Sequence, residues 1–196
     1  MGSVREKAPA RLRILQATAD SLTRKGYSAT GLNEIIAESG APKGSLYHYF
    51  PDGKEQLAVE ALALSTDEWF SQLSAIMNKA ADPSAAIRMV CKAMAKQLKE
   101  SKWENGCPIA TVTLEVASTI PAIQQAADTH WKRWHEAIRA YFCRFDMQVP
   151  DALITTAIAA FEGGLLLSRA HRSEKPLLQV GETLAPLFEN LATQEI

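Results

Sequence analysis

A cluster of polar side chains lies between Lys43 and His48. Lys43 carries a cation and Ser45 a hydroxyl, and Tyr47 and His48 carry hydrogen-bond donors on flat rings. Such groups donate to phosphate oxygens, and aromatic side chains also touch the edges of bases. Little apolar material separates them, so a partner outside the protein is one explanation. The other is an ordinary helical hairpin with a polar, exposed face.

Two short helices joined by a tight turn are predicted to position this cluster. The first carries Leu32, Ile35 and Ile36. It should end at Gly40, because glycine adopts the left-handed backbone that lets a chain leave a helix. The second is predicted from about Pro42 to Tyr49. At this spacing the pattern indicates a DNA-binding helix-turn-helix, whose second helix enters the major groove.

Several residues of these two helices have predicted structural roles. Thr30 is the predicted N-cap of the first helix, and Pro42 is tolerated at the first position of the second. Leu46 and Phe50 should point inward and fix the second helix. Gly44 inside so short a helix costs about 1 kcal/mol relative to alanine. Close approach of a ligand backbone would offset that cost.

The rest of the chain shows helical periodicity nearly throughout. One helix should precede the pair and end at Gly26, after Arg24 and Lys25. The segment 110–116 fits a strand as well as a helix, and we predict a helix because no second strand is available to pair with it. Further helices are predicted from about residue 52 or 54 to the break at 82–83, then to about 98, and over 121–145, 152–169 and 177–193.

The composition favours a globular protein in a reducing compartment. Hydrophobic residues make up 47% of the chain and the net charge is −1. We find no run of apolar residues long enough to cross a membrane and no secretory signal, and the cysteines form no metal-binding cluster. A cytoplasmic protein without membrane or metal is therefore expected. The basic residues Arg5, Lys7, Arg11 and Arg13 before the first helix are either an arm for nucleic acid or a solubilising terminus.

Catalytic motifs are missing from the sequence. It contains no GxSxG, no Walker loop, no HExxH and no dinucleotide fingerprint, and its histidines are scattered. We therefore expect a protein that is not an enzyme and uses no cofactor.

The N-terminal segment resembles the TetR family of transcriptional regulators over residues from about Ile14 to Leu57. The resemblance rests on Gly26-Tyr27, Ala29-Thr30, Ile35-Ile36-Ala37, Ser39-Gly40, Lys43 to Phe50 and Lys54-Glu55-Gln56-Leu57. Two motifs, Phe50-Pro51-Asp52-Gly53-Lys54 and the later Asn105-Gly106-Cys107-Pro108-Ile109-Ala110, are similar to the LmrA/YxaF subgroup. Ala41 and Pro42 depart from the valine and serine of many members, which removes a serine cap from the second helix of the pair.

This resemblance implies a function and an arrangement of domains. It implies an all-α protein with a three-helix DNA-binding domain at 1–53 and a larger helical ligand-binding and dimerisation domain at 54–196. The protein would bind a palindromic, double-stranded operator as a homodimer and be released by a small, partly aromatic inducer. Repression is expected, and activation stays open. The implied DNA contacts are Thr30, Lys43, Gly44, Ser45, Tyr47, His48 and Lys54.

For pairing, the resemblance implies a four-helix bundle formed by the segments 152–169 and 177–193 of two subunits. Small residues that allow close approach are Ala157, Ala159, Ala160, Gly163 and Gly164. Burial of the same face within one chain is the alternative.

For the ligand, aromatic and histidine side chains in the middle helices are candidates, although such residues at helical spacing also build plain cores. The candidates are Trp103, Cys107, Trp131, Trp134, His135 and Phe161. Cys107 also raises an alternative function, because a thiol at a helix N-terminus can be reactive. The regulator would then respond to redox or electrophilic signals through this thiol, whereas a buried cysteine would be inert.

Overall fold

The computed structural model describes residues 8–192, with side chains described to residue 189. This part of the chain forms nine α-helices and no strand, so the predicted all-α class is confirmed. The helices are α1 (Ala10–Lys25), α2 (Leu32–Ser39), α3 (Ser45–Tyr49), α4 (Gly53–Met77), α5 (Pro83–Glu100), α6 (Pro108–Val116), α7 (Pro121–Cys143), α8 (Asp151–His171) and α9 (Lys175–Ala192).

Contacts within the chain define two compact units. The first comprises residues 1–68 and 107–130, so its described part contains α1, α2, α3, α6 and the N-terminal parts of α4 and α7. The second comprises residues 69–106 and 131–196, with the rest of α4 and α7 and all of α5, α8 and α9. The predicted boundary between residues 53 and 54 separates a DNA-binding domain from a ligand-binding and dimerisation domain. It stays a prediction.

The core of the first unit explains why the short helices form. Ile14 and Leu22 of α1 and Leu57 of α4 are fully buried. Leu46 and Phe50 are 2% and 0% exposed, which confirms that they point inward. A five-residue helix is unstable alone, so burial of these two side chains fixes α3 in place.

The second unit has its own core around α7 and α9. The ring of Phe142 in α7 stacks on that of Phe188 in α9, with centroids 4.7 Å apart. Ile154 of α8 and Ala86 of α5 are buried in the same cluster. The helices of this unit therefore bury their apolar stripes against one another.

Several predicted helix ends are confirmed and others need correction. Gly26 and Gly40, both with positive φ, are the C-caps that end α1 and α2, and residues 108–116 form a helix. The prediction for Pro42 is wrong: α3 begins at Ser45, whose N–H closes a turn on the carbonyl of Pro42 at 2.9 Å. Helix α7 ends at Cys143 rather than Phe145, because turn hydrogen bonds replace helical ones there.

Helix α8 is the most apolar of the long helices in the described range. By length and composition alone it could cross a membrane. A core helix of a soluble protein meets the same criterion. Within the second unit, Phe161 and Leu165 of α8 are buried, while Leu166 and Leu167 are exposed.

Candidate nucleic-acid interface and ligand cavity

The outer face of α3 and the turn before it are polar and exposed. Tyr47 is 65% exposed, and Lys43, Gly44 and His48 are exposed as well. Ser45 is half-buried. The ring of His48 meets that of Tyr49 edge-on, with centroids 4.9 Å apart. The cluster recognised in the sequence therefore lies on one accessible surface.

The turn between α2 and α3 is held by a side chain that sequence reasoning assigned to another role. Gly40 has φ 60° and ψ 20°, the left-handed conformation that ends α2. The guanidinium of Arg13 donates to the carbonyl oxygens of Ser39 at 2.9 Å and Gly40 at 3.1 Å, and also to that of Ala8. The carbonyls of Ser39 and Gly40 lie at the end of α2, where carbonyls lack a partner within the helix. Arg13 therefore fixes the turn that orients α3.

The predicted basic segment before the first helix is thus corrected in its described part, because Arg11 and Arg13 lie within α1. Arg13 bonds to backbone carbonyls, and Arg11 forms an ion pair with Glu60 and lies over the ring of Phe50 at 5.4 Å. Both arginines are engaged within the first unit. Arg5 and Lys7 lie outside the described residues.

Thr30 differs from the other predicted contact residues because it is 2% exposed. Its hydroxyl donates to the carbonyl of Gly26 at 2.6 Å and lies 3.0 Å from the hydroxyl of Ser21. The predicted N-cap is wrong, since α2 is preceded by Gly31 and has no side-chain cap. The side chain of Thr30 is therefore part of the core and not of the exposed face.

Gly44 is the N-cap of α3 and not an interior residue. The predicted free-energy cost of a glycine inside the helix therefore does not apply. Its φ of −75° and ψ of −14° are open to any residue. A Cβ built at this position would meet no atom within 4 Å. Neither the backbone nor the packing of the described protein requires a glycine here.

A carboxylate from α6 binds the loop that follows α1. The Oε2 atom of Glu115 accepts from the backbone N–H of Tyr27 at 2.5 Å and of Ser28 at 3.3 Å. Gly26, with φ 77°, gives this carboxylate room, because a Cβ there would lie 2.5–2.7 Å from it. Helix α6 thus contacts the loop between α1 and α2 through Glu115.

Lys54 lies beside this loop. Its ammonium group is 4.4 Å from the centre of the Tyr27 ring and 3.5 Å from the carbonyl oxygen of Ser28. Partial burial lowers the pKa of Lys54, and the nearby Glu115 opposes this shift. Burial also raises the pKa of Tyr27, and Glu55 adds to that rise. The lysine is therefore held at the edge of the first unit by its own neighbours.

The second unit contains a cavity of about 370 Å³ with mostly apolar walls. Trp134 of α7 is one of the aromatic residues that line it. The indole lies 5.7 Å from the ring of Phe161 and stacks on Trp69 with centroids 6.4 Å apart. Volumes of about 300–1,000 Å³ and apolar walls are usual for small-molecule sites.

One end of the cavity is polar. Arg144 donates to the side-chain oxygen of Asn78 at 2.7 Å, and its guanidinium lies 5.6 Å from the centre of the Tyr141 ring. The hydroxyl of Tyr141 donates to the carbonyl of Met77 at 3.3 Å. This end, formed by Asn78, Tyr141 and Arg144, is called the polar end below.

Of the predicted ligand contacts, Trp134 and Phe161 line the cavity. Trp131 packs on Trp134, with centroids 6.5 Å apart, and His135 lies 3.0 Å from the hydroxyl of Thr155; neither lines it. Trp103 forms a turn after α5, with φ 68° and its N–H bonded to Leu98.

Cys107 belongs to the first unit, whereas the cavity lies in the second. It is the N-cap of α6, and its sulfur accepts from the N–H of Ala110 at 3.4 Å.

Sequence reasoning missed most of the cavity walls. Phe70 and Met77 come from the C-terminal third of α4, Tyr141 from the end of α7 and Arg144 from the turn that follows it. A signal was present, since apolar and aromatic residues recur along α7 at helical spacing from Trp134 to Tyr141. Glu115 and the structural role of Arg13 gave no periodic signal, because both act on backbone groups that only the fold brings near.

The predicted pairing helices α8 and α9 leave leucines exposed. Leu166 and Leu167 are 64% and 49% exposed, and Leu178 and Leu187 on α9 are 40% and 45% exposed. The glycines of α8 differ in their surroundings. A Cβ at Gly164 would lie 2.9 Å from Val180 of α9, whereas a Cβ at Gly163 would meet nothing within 4 Å. Gly164 therefore serves packing within the chain, while Gly163 borders open space.

Comparisons with known proteins match both parts of the chain. Residues 14–61 match the family model described as bacterial regulatory proteins of the tetR family. Residues 83–183 match the C-terminal domain of LmrA/YxaF-like transcriptional regulators.

Two relatives and one solved structure are also similar to this chain over most or all of its length. The HTH-type transcriptional regulators YxaF and LmrA of Bacillus subtilis are each 33% identical to this chain; the matches cover 92% and 91% of it and 96% of either relative. A TetR-family regulator from Cytophaga hutchinsonii has a similar fold, with a TM-score of 0.81, 22% identity and full coverage of both chains.

Proposed function

The chain belongs to the TetR family of transcriptional regulators, and we propose that it is a cytoplasmic, homodimeric repressor of a palindromic operator that a small, partly aromatic molecule releases. Its relatives YxaF and LmrA are transcriptional regulators, which supports a regulatory role for this chain. The observation that carries the proposal is the exposed polar face of α3, held rigidly by buried Leu46 and Phe50.

We assign the DNA contacts to Lys43, Gly44, Ser45, Tyr47, His48 and Lys54. Tyr47 and His48 would meet base edges or phosphates in the major groove, and Lys43 and Lys54 would bind phosphates. Thr30 is left out of the direct contacts, because its side chain is buried and its hydroxyl bonds to Gly26.

Gly44 gives independent support for this interface. Its backbone conformation and its surroundings accept a larger side chain, so nothing within the described protein accounts for glycine. A phosphate or sugar that comes close to the backbone at this position would account for it. The glycine thus favours an external partner on this face.

The proposed cavity ligand is small and partly aromatic because Trp134 and Phe161 line an apolar space of suitable volume. Release requires that the ligand bind better to a conformation with low affinity for the operator than to the DNA-bound one. A coupling of about 1–3 kcal/mol between the two sites is enough for a usable switch.

The experiment that tests the DNA-binding assignment is operator selection followed by measurement of variants. Oligonucleotides selected from a random pool by the full-length protein should contain a palindrome, because each subunit of the proposed dimer reads one half-site. Tyr47→Ala should lower affinity for that sequence by about tenfold to a hundredfold while the fold and dimer stay intact. Circular dichroism and analytical ultracentrifugation check the fold and the assembly.

Leu114→Ala is the matched control, since Leu114 is an 84% exposed side chain on α6 of the same unit. Its operator affinity should equal that of the wild type. Unchanged affinity in the folded Tyr47→Ala variant would refute the assignment of α3 to the groove.

The thiol alternative depends on Cys107 alone. Cys107→Ser should still release DNA when the inducer is added, if the cavity is the sensing site. Loss of release in that variant, with normal operator binding, would favour the alternative.

A further inference from the structure

From the walls of the second unit's cavity we infer that its ligand is a flat aromatic molecule, neutral or with one negative charge, whose oxygen-bearing group lies at the polar end. The inference rests on the proposed function, since it takes this cavity as the site of the released molecule. It adds the charge and the orientation of that molecule, which the proposed function leaves open.

The walls of the cavity carry few charged side chains. The residues that line the cavity all fall in the described range, and they include no aspartate or glutamate. Arg144 is the charged residue among them. A ligand cation would lose its water without meeting a carboxylate, which is costly, whereas an anion at the polar end would meet a guanidinium. The walls therefore favour a neutral or anionic ligand.

Aromatic walls can also bind cations through their ring faces, so the state of those faces matters. The guanidinium of Arg133 lies over the ring of Phe70, 4.9 Å from its centre. Arg144 lies over Tyr141 in the same way, and Phe142 stacks face to face on Phe188 at an angle of 21°. A guanidinium group or another ring thus covers one face of each of Phe70, Tyr141 and Phe142, and the two arginines would repel a ligand cation.

The polar end gives the ligand its direction. The side chain of Arg144 is exposed, so a carboxylate or phenolate beside it would keep contact with water as well as with the guanidinium. The amide of Asn78, which accepts from Arg144, adds hydrogen-bonding capacity. The opposite part of the cavity, around Trp134 and Phe161, is apolar and suits a flat ring system.

The acidic residue Asp82 lies near the polar end. Burial raises the pKa of the Tyr141 hydroxyl, while Arg144 lowers it and Asp82 raises it. Asp82 is therefore close enough to act on Tyr141. It does not line the cavity, and its carboxylate accepts from the N–H of Ala85 at 2.7 Å as the N-cap of α5. Arg144 is thus the charge that a bound ligand touches.

The test uses a matched set of naphthalenes that share one ring system and differ in charge: naphthoate, acetylnaphthalene and naphthylmethylammonium. Isothermal titration calorimetry measures their binding to the full-length protein without DNA. Naphthoate and acetylnaphthalene should bind, and the ammonium compound should bind at least about tenfold more weakly than naphthoate.

Substitutions at the polar end then test the role of Arg144. Arg144→Gln should weaken naphthoate by about fivefold to tenfold and change acetylnaphthalene by less than about twofold. Lys79→Gln removes the same charge from an exposed residue next to Asn78 that does not line the cavity, and it should leave all three affinities within about twofold.

The inference is overturned if the ammonium compound binds as tightly as naphthoate, or if none of the three binds at about 1 mM. It is also overturned if Arg144→Gln weakens all three equally, which would mean that Arg144 only maintains the fold. Operator affinity with and without naphthoate is measured separately. Charge-selective binding that leaves operator affinity unchanged would refute the proposed release and leave the ligand class standing.

Discussion

Gly26 and Gly44 of the first unit are glycines for different reasons, and substitution by alanine distinguishes the two. Gly26 is required by the protein itself, with φ 77° and the Glu115 carboxylate where a Cβ would lie. Gly44 is not required by its own backbone or by packing. We expect Gly26→Ala to lower the free energy of unfolding by about 1–3 kcal/mol, because it strains the backbone and displaces the carboxylate.

Gly44→Ala should change stability by no more than about 0.5 kcal/mol and lower operator affinity by about tenfold or more. Urea denaturation and gel-shift titration of both variants measure the two quantities. Normal operator affinity in Gly44→Ala would mean that no DNA backbone comes close at this position.

The three cysteines should differ in reactivity by burial. Burial raises the pKa of Cys91 from 9.0 to about 11, and Glu182 adds to the shift, so at about pH 8 this thiol stays protonated. Because the folded-state pKa is the higher one, ionisation favours the unfolded chain. The contribution of Cys91 to stability is complete below pH 9.0 and is lost as the pH rises towards 11.

Alkylation of the native protein with iodoacetamide, followed by mass spectrometry, checks this order. The exposed Cys143 should react first and Cys91 last. Cys107 is half-buried, and a rate above that of Cys143 would revive the thiol alternative. Rapid labelling of Cys91 would contradict the burial on which its raised pKa depends.

At the scale of elements, α6 is joined to the loop between α1 and α2 by the Glu115 carboxylate. Glu115→Ala should leave the N–H groups of Tyr27 and Ser28 without their acceptor and destabilise the first unit by about 1–3 kcal/mol. Glu115→Gln keeps an acceptor oxygen and should recover part of that loss. Hydrogen exchange of the two amides should accelerate in the alanine variant, and unchanged exchange would contradict the role of Glu115.

The sequence predicted the elements better than the contacts between them. Periodicity and glycines located α1 and α2, because an apolar stripe and a left-handed residue are local properties. The start of α3 was misplaced, since a turn at Pro42 resembles the first turn of a helix. The helix pair and its exposed face were recognisable for the same local reason.

The misassigned site residues failed for a different reason, which is that burial and partners are tertiary properties. Threonine often caps helices, yet the hydroxyl of Thr30 donates to the carbonyl of Gly26 within the core. Basic residues such as Arg13 are common in DNA-binding arms, yet Arg13 donates to carbonyl oxygens at the turn between α2 and α3. Trp103 resembled a pocket residue, and it forms a turn after α5.

At the scale of the whole molecule, the proposed homodimer would cover apolar side chains that are exposed in a single chain. It would also supply the two α3 helices that a palindrome requires. Leu166, Leu167 and Leu187 remain exposed on α8 and α9, and Gly163 borders open space where another helix could approach. Burial of a leucine contributes about 1.5–3 kcal/mol, so covering several of them favours association. A palindrome also requires two α3 helices about 34 Å apart, which one chain cannot supply.

The double variant Leu167→Asp with Leu187→Asp should therefore sediment as a monomer, because it places charges in the proposed interface. Its affinity for the palindrome should fall to its affinity for a single half-site. Leu114→Asp is the control, since it introduces the same charge at an 84% exposed leucine of α6, and it should remain a dimer with normal affinity. Sedimentation velocity and gel-shift titration measure both effects. A double variant that stays dimeric would place the subunit interface elsewhere, whereas a monomer with full affinity for the palindrome would separate assembly from DNA recognition.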